Sequence, residues 1–317
     1  MEKRNEFLPV CDWVKVKVLV DNAVDEFLPS TEGVERFRFI RRGYHELPPP
    51  IRAEHGLSLI LRWMVSGREH CLLFDFGLSA DALPNNLRAM GESLDEVEAL
   101  VLSHGHWDHF GGLVELGLKA PTTLYHGPQA MLQHRIGPAG NEVDVGQVKR
   151  EWLDRQAIAP VEITQATEIL PGALLTGPIP RVTAFEGGTG PFQVRTADGW
   201  VSDSFPGEMG LVFRTGRGLV VLSGCAHAGI VNTAKYAQKL VGNEPVHAIM
   251  GGFHLITSPA EVVEATIGGF RELEPDVLIP THCTGQMATI AIAGSFKEAY
   301  RVSSVGTTWS FPLQQAG

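Results

Sequence analysis

The chain has 317 residues, 44% of them hydrophobic and 20% charged, with a formal net charge of −10 at pH 7. That is enough length to bury a sizeable core, and nothing in the composition predicts disorder. The acidic balance argues against a nucleic-acid duplex as partner, because such binding rests on neutralising phosphates with Lys and Arg. No run of about 18 apolar residues predicts a membrane span. Four cysteines, Cys11, Cys71, Cys225 and Cys283, do not read as a disulfide framework. The opening "MEKRNEFLPVCDWV" lacks the apolar core of a signal peptide, so a cytoplasmic protein is the simplest expectation.

In chain order, "VKVKVLV" (14–20) alternates with period two, as a half-buried strand should. "SLILRWMV" (58–65), "HCLLFDF" (70–76) and "VEALVLS" (97–103) are compact strand candidates bounded by Gly or polar residues. "GLVFRT" (210–215), "GLVVLS" (218–223), "VHAIMG" (246–251) and "DVLIPT" (276–281) continue the series. Helical patterning predicts helices in 79–90, 127–135, 146–156, 229–241 and 259–273. The last has Ser258 as N-cap and Pro259 at the first helical position. Two stretches break the alternation. Residues 21–56 contain "RFRFIRRGYHELPPP" and read as a cap loop, whose Arg36, Arg38, Arg41 and Arg42 could meet a phosphate or carboxylate. Residues 186–209, rich in Gly, Pro and Asp, read as a second long loop. Loops of this length are often binding elements. The "EGGTG" within it (186–190) lacks the strand-to-helix setting of a phosphate-binding loop. No linker divides the chain, and residues 1–317 read as a single domain.

The densest chemistry lies in "VLSHGHWDHFGGL" (101–113), where His104, His106, Asp108 and His109 occupy six positions directly after a strand. Imidazole and carboxylate are first-choice ligands for Zn²⁺ and similar ions. In such a turn His104 and His106 can point to one ion, and Asp108 with His109 to a second. Three later strands end in the same way: "GLVVLSGCAHAG" in Cys225 and His227, "VHAIMGGFHL" in His254, and "DVLIPTHCTG" in His282 and Cys283. Residues that do chemistry collect at strand ends held by a rigid sheet. A serine hydrolase is not indicated, since "GLSLI" is no nucleophile elbow.

The pattern His-x-His-x-Asp-His after a strand, preceded by "LLFDFG" and followed by the late strand-end histidines, resembles the metallo-β-lactamase superfamily. "HGLS" (55–58), "TGPIPR" (176–181), "SGCAHAGIVN" (223–232), "GGFHL" (251–255) and "PTHCTG" (280–285) further resemble one branch of it. That branch takes its name from 7,8-dihydropterin-6-methyl-4-(β-D-ribofuranosyl)aminobenzene-5′-phosphate synthase. The resemblance implies an α/β fold, an αβ/βα sandwich of two mixed sheets with outer helices and metals at one edge. It also implies one metal site from His104, His106 and His227 and a second from Asp108, His109 and His282. Asp75 matches an early aspartate that orients the ligand turn. Cys225 stands where many members carry a bridging aspartate and is a further candidate ligand, soft enough for Zn²⁺.

Two adjacent divalent ions can lower the pKa of a shared water and polarise a phosphoryl or carbonyl oxygen. Asp108 would help orient that nucleophile, and His254, outside the six-ligand set, is the candidate general acid. Arg181 and His55 are candidate substrate contacts. The expected protein is therefore an enzyme with two divalent ions per chain, zinc first and manganese or iron as alternatives. Its expected substrate is small and anionic, a phosphate ester or pterin-like compound. The branch name implies a carbon–nitrogen joining reaction with diphosphate as leaving group. A thioesterase or lactonase on the same metals, a mononuclear iron oxygenase and a non-catalytic ligand-binding protein are the rivals.

Overall fold

The computed structural model describes residues 8–38, 50–186 and 190–312. Two large sheets face one another. The first runs, in spatial order, Ile158–Glu162, Thr122–His126, Ala99–Leu102, Arg68–Phe74, Ser58–Val65, Trp13–Val20, Thr307–Phe311 and Val34–Arg36. The second runs Thr167–Leu170, Ala173–Leu175, Leu211–Thr215, Gly218–Ser223, Val246–Gly252 and Val277–Thr281, with Val10–Cys11 added beside Leu211–Thr215. This is the expected αβ/βα sandwich.

Period-two patterning explains the layers. Val14, Val16 and Val18 point between the sheets and meet Phe213, Val220, Leu222, Met250 and Ile279 from the facing one. Leu219, Val221, Ile249 and Leu278 point the other way, under the helices Ile230–Leu240 and Ala260–Leu273. The first sheet's outer face is covered by the helix Ala82–Met90. Strands buried on both faces read as continuous apolar runs, which is why "GLVVLS" and "VHAIMGG" carry no alternation.

Topology places the site. Gly218–Ser223, Val246–Gly252 and Val277–Thr281 are mutually parallel, with Ser223 beside Gly251 and Gly252 beside Thr281. Their C-terminal ends, carrying Cys225 and His227, His254, and His282 and Cys283, therefore lie along one edge. Ala99–Leu102 brings the His104–His109 turn to the same edge from the other sheet, where the His109 Nε2 lies 3.1 Å from the Cys225 Sγ.

Several expectations need correction. Residues 127–135 are not a helix: Pro128 and the left-handed Gln129 (φ 66°) turn the chain into the short strand His134–Ile136. The helix in 146–156 shrinks to Arg150–Arg155. Pro259, not Ser258, is the N-cap of Ala260–Leu273. The segment 186–209 is not all loop, since Phe192–Thr196 and Gly199–Ser202 form a hairpin. The hairpin joins His134–Ile136 and Val143–Gly146 in a small third sheet, and its turn residues Ala197 and Asp198 preceding Gly199 were the available signal. In 21–56, Val34–Arg36 adds to the edge of the first sheet. There Arg36 donates to the Thr307 Oγ1 and the Val302 carbonyl, and Arg38 to the carbonyls of Glu26 and Leu28. Both guanidiniums thus bind their own surroundings, while Arg41 and Arg42 lie outside the described residues.

The close packing behind the ligand turn yields a direct prediction. A Cβ on Gly111 would sit 1.7 Å from the Leu78 carbonyl oxygen, whereas one on Gly216 would meet nothing within 4 Å. Gly111→Ala should lower the unfolding free energy by about 3 kcal/mol or more, beyond ordinary overpacking, and Gly216→Ala by less than about 0.5 kcal/mol. Denaturant midpoints of the two variants make the comparison.

Candidate metal centre

The ligand turn is wired from behind by Asp75. This residue is fully buried and left-handed (φ 57°). Its Oδ1 accepts the Ser103 N–H at 2.7 Å, and its Oδ2 accepts the Ser103 hydroxyl and the His109 Nδ1–H, each at 2.7 Å. With its proton spent on Asp75, the Ser103 Oγ can only accept from the His104 Nδ1, 3.0 Å away. Both imidazoles are thereby fixed as Nδ1–H tautomers whose Nε2 lone pairs face the cavity.

His104, His106 and His227 each offer a nitrogen within 4.8 Å of the other two. Their Nε2 atoms are buried with no hydrogen-bond partner. Burial above all, aided by neighbouring imidazoles and opposed at His106 by Asp108, pushes the pKa of all three down, so they stand neutral. Three unpartnered, buried, neutral imidazoles converging on one point fit a divalent cation, which would give each nitrogen the partner it lacks.

The second set also assembles. The His109 Nε2 lies 3.2 Å from the His282 Nε2, which is 3.3 Å from the Asp108 Oδ2, and the Asp108 Oδ1 is 3.8 Å from the His109 Nε2. Burial alone would raise the Asp108 pKa, but His109 and His282 hold it below the usual carboxylate range. Cys225 groups with His104 and His109, one imidazole from each set, with its sulfur 3.1 Å from the His109 Nε2.

Several supports had no clear sequence signal. Asp21 and Asn22 follow the strand Trp13–Val20. The Asp21 Oδ1 accepts the His282 N–H at 2.9 Å, and the Asn22 Oδ1 accepts the His282 Nδ1–H at 3.3 Å, leaving Nε2 for the site. His282 itself is left-handed (φ 48°), a conformation that needs such clamps. On the other side, the buried Glu208 accepts the N–H groups of His227 and Ala228, and burial lifts its pKa to about 7. Glu186 accepts the Val231 and Asn232 N–H groups, each at 2.8 Å, at the start of Ile230–Leu240.

Arg181, expected as a substrate contact, is engaged by the protein's own backbone. Its guanidinium donates to the carbonyls of Glu186 (2.7 Å), His227 (3.0 Å) and Ser204 (3.2 Å), so it ties the His227 turn to two loops. His55 lies at the rim, its Nε2 3.4 Å from the Asp108 Oδ2. His254 (φ 46°) sits with its ring centroid 4.0 Å from that of His227. Both His55 and His254 line a cavity of about 210 Å³ together with Asp108, Cys225 and His227. A neighbouring cavity of about 260 Å³ shares His227, His254 and Phe192. Phe192, from the hairpin expected to be loop, stacks on His106 at 5.0 Å, and Phe205 lies flat over His227 at 4.0 Å. These rings cover the imidazoles and keep the cavity walls apolar.

Among the described residues, no helix is long and apolar enough to cross a membrane.

Comparison with known proteins agrees with this geometry. The family model of the metallo-beta-lactamase superfamily matches residues 55–282. The 7,8-dihydropterin-6-methyl-4-(beta-D-ribofuranosyl)-aminobenzene-5'-phosphate synthase of Methanocaldococcus jannaschii is 28% identical over 284 residues, covering 83% of this chain and 92% of that protein. The crystal structure of a metal-dependent hydrolase of the beta-lactamase superfamily superposes with a TM-score of 0.73 at 27% identity, over 95% of this chain and all of the other. Zn²⁺-bound PqqB from Methylobacterium extorquens shares the fold, with a TM-score of 0.52 at 14% identity over 94% of this chain and all of the other.

Proposed function

The chain belongs to the metallo-beta-lactamase superfamily, and from that premise we propose that it is an enzyme with a binuclear metal centre, acting on a small phosphorylated, pterin-like substrate. The observation that carries the reading is the assembly of two donor sets side by side, His104, His106 and His227 next to Asp108, His109 and His282, with His106, Asp108 and His227 opening onto a 210 Å³ cavity. Two divalent ions bound there would supply Lewis acidity toward phosphoryl oxygens and a nucleophilic water at neutral pH. The name of the M. jannaschii relative supports a phosphorylated, pterin-type compound as the molecule handled.

The protein's own residues do the rest. Asp75, Asn22 and Ser103 set the tautomers that turn lone pairs inward. Asp108 orients the nucleophile from the floor of the cavity. His254 holds a proton for the departing group, and Phe192 and Phe205 keep bulk water off the imidazoles. With Arg181 engaged by backbone carbonyls, the main source of anion affinity would be two bound divalent ions, whose four charges would oppose the single carboxylate of Asp108. His55, exposed at the rim, is the one side chain of the original substrate-contact pair that faces the cavity.

A panel of phosphodiesters, pterin diphosphates, thioesters and lactones tests the reading. Phosphorylated substrates should be preferred, with inorganic diphosphate inhibiting competitively. Faster turnover of uncharged lactones or thioesters, with no diphosphate inhibition, would favour a lactonase or thioesterase instead.

A further inference from the structure

We propose that Cys225, His254 and Cys283 form a further site, sharing the Cys225 sulfur with the main centre, for one thiophilic divalent cation of the Zn²⁺ or Cd²⁺ type. Resting on the reading of His254 as proton donor, we also propose that filling this site inhibits the enzyme. The three residues come from three adjacent parallel strand ends, and each offers one ligand atom within 4.8 Å of the other two. The arrangement is packed from below. A Cβ on Gly252, the strand end between the two cysteines, would lie 2.6 Å from the Cys283 Sγ, so only glycine lets the sulfur approach this closely.

Within the cluster Cys283 hydrogen-bonds with Cys225 and His254, while the His254 Nδ1 is buried with no hydrogen-bond partner. The Cys283 thiol has a weak contact to the Cys225 carbonyl at 3.5 Å, and neither cysteine is in a disulfide. Two sulfurs and an imidazole make a softer set than the histidine and carboxylate donors beside them, and such a set selects zinc or cadmium over magnesium or calcium. Binding would release the two thiol protons to solvent, and two thiolates, a neutral imidazole and a divalent ion sum to zero charge. A neutral assembly can be buried at a wall shared with the substrate cavity. His254 bound through nitrogen could no longer deliver its proton.

The test uses the full-length protein holding two zinc ions per chain, titrated anaerobically with Cd²⁺ and followed by ultraviolet thiolate-to-cadmium absorption, bound-metal analysis and turnover. The expected result is one further ion per chain, with turnover falling in step with the absorption band. Cys283→Ser, with Cys283→Ala as a second variant, should lose that ion, most of the band and the inhibition while retaining the ions present beforehand. The proposal is overturned if the wild type gains no thiolate band. It is equally overturned if band and count persist in the Cys283 variants, which would assign them to cadmium exchanged beside Cys225. If both variants fail to fold, the wild-type metal count decides: cadmium added with both zinc ions retained supports the site, and cadmium gained one for one against zinc lost overturns it. Failure of the binuclear reading is distinct: metal content before titration would fall short, while a Cys283-dependent band would still develop.

Discussion

Alanine in place of Asp108 is expected to lower turnover by about 10³-fold or more, equivalent to roughly 4 kcal/mol of transition-state stabilisation. Asp108 is the lone carboxylate among the six donors, and it touches both imidazoles of its set as well as His55 at the rim. Removing it leaves His109 and His282 with their Nε2 atoms 3.2 Å apart and no anion to hold a cation between them. The loss should appear in kcat, with metal content falling in parallel. Asp108→Asn keeps the shape but removes the charge and should recover little. Folding should persist, because Asp75, not Asp108, carries the hydrogen bonds that pin the turn. Full activity in Asp108→Ala with unchanged metal content would remove the second site from the account.

His254→Ala should slow turnover by about 10²–10⁴-fold, the range expected when a general acid is lost. His254 is held in a left-handed conformation at the end of a buried strand, with its ring against His227 and facing both cavities. A strained residue at that position is consistent with a functional constraint. Metal content of the first two sites should stay constant, and the loss should shrink for substrates whose leaving group needs no proton. If metal content falls instead, His254 is a ligand of the main centre, and the roles of His227 and His282 change.

The features legible in the sequence were those written in local pattern. "SLILRWMV" and "GLVVLS" coincide with the strands Ser58–Val65 and Gly218–Ser223, because a fully buried strand leaves a compact apolar run. The strand-end grammar exposed His104, His106, His227 and His282, since parallel topology brings such ends to one edge. The supports were not legible in the same way. Asp21 reaches His282 across 261 residues, and Glu208 binds backbone N–H groups, which leave no pattern in residue type. Arg181 looked like a substrate grip because a guanidinium is charged, yet backbone carbonyls satisfy it inside the fold. Phe192 lay in a stretch whose Gly and Pro content masked a hairpin, and with it the ring that covers His106.

The central claim is a centre of two ions, and metal content measures it most directly. Protein purified without chelator should contain close to two divalent ions per chain by elemental analysis, falling to about one in Asp108→Ala or His282→Ala. A content near one that stays unchanged in both variants would contradict it.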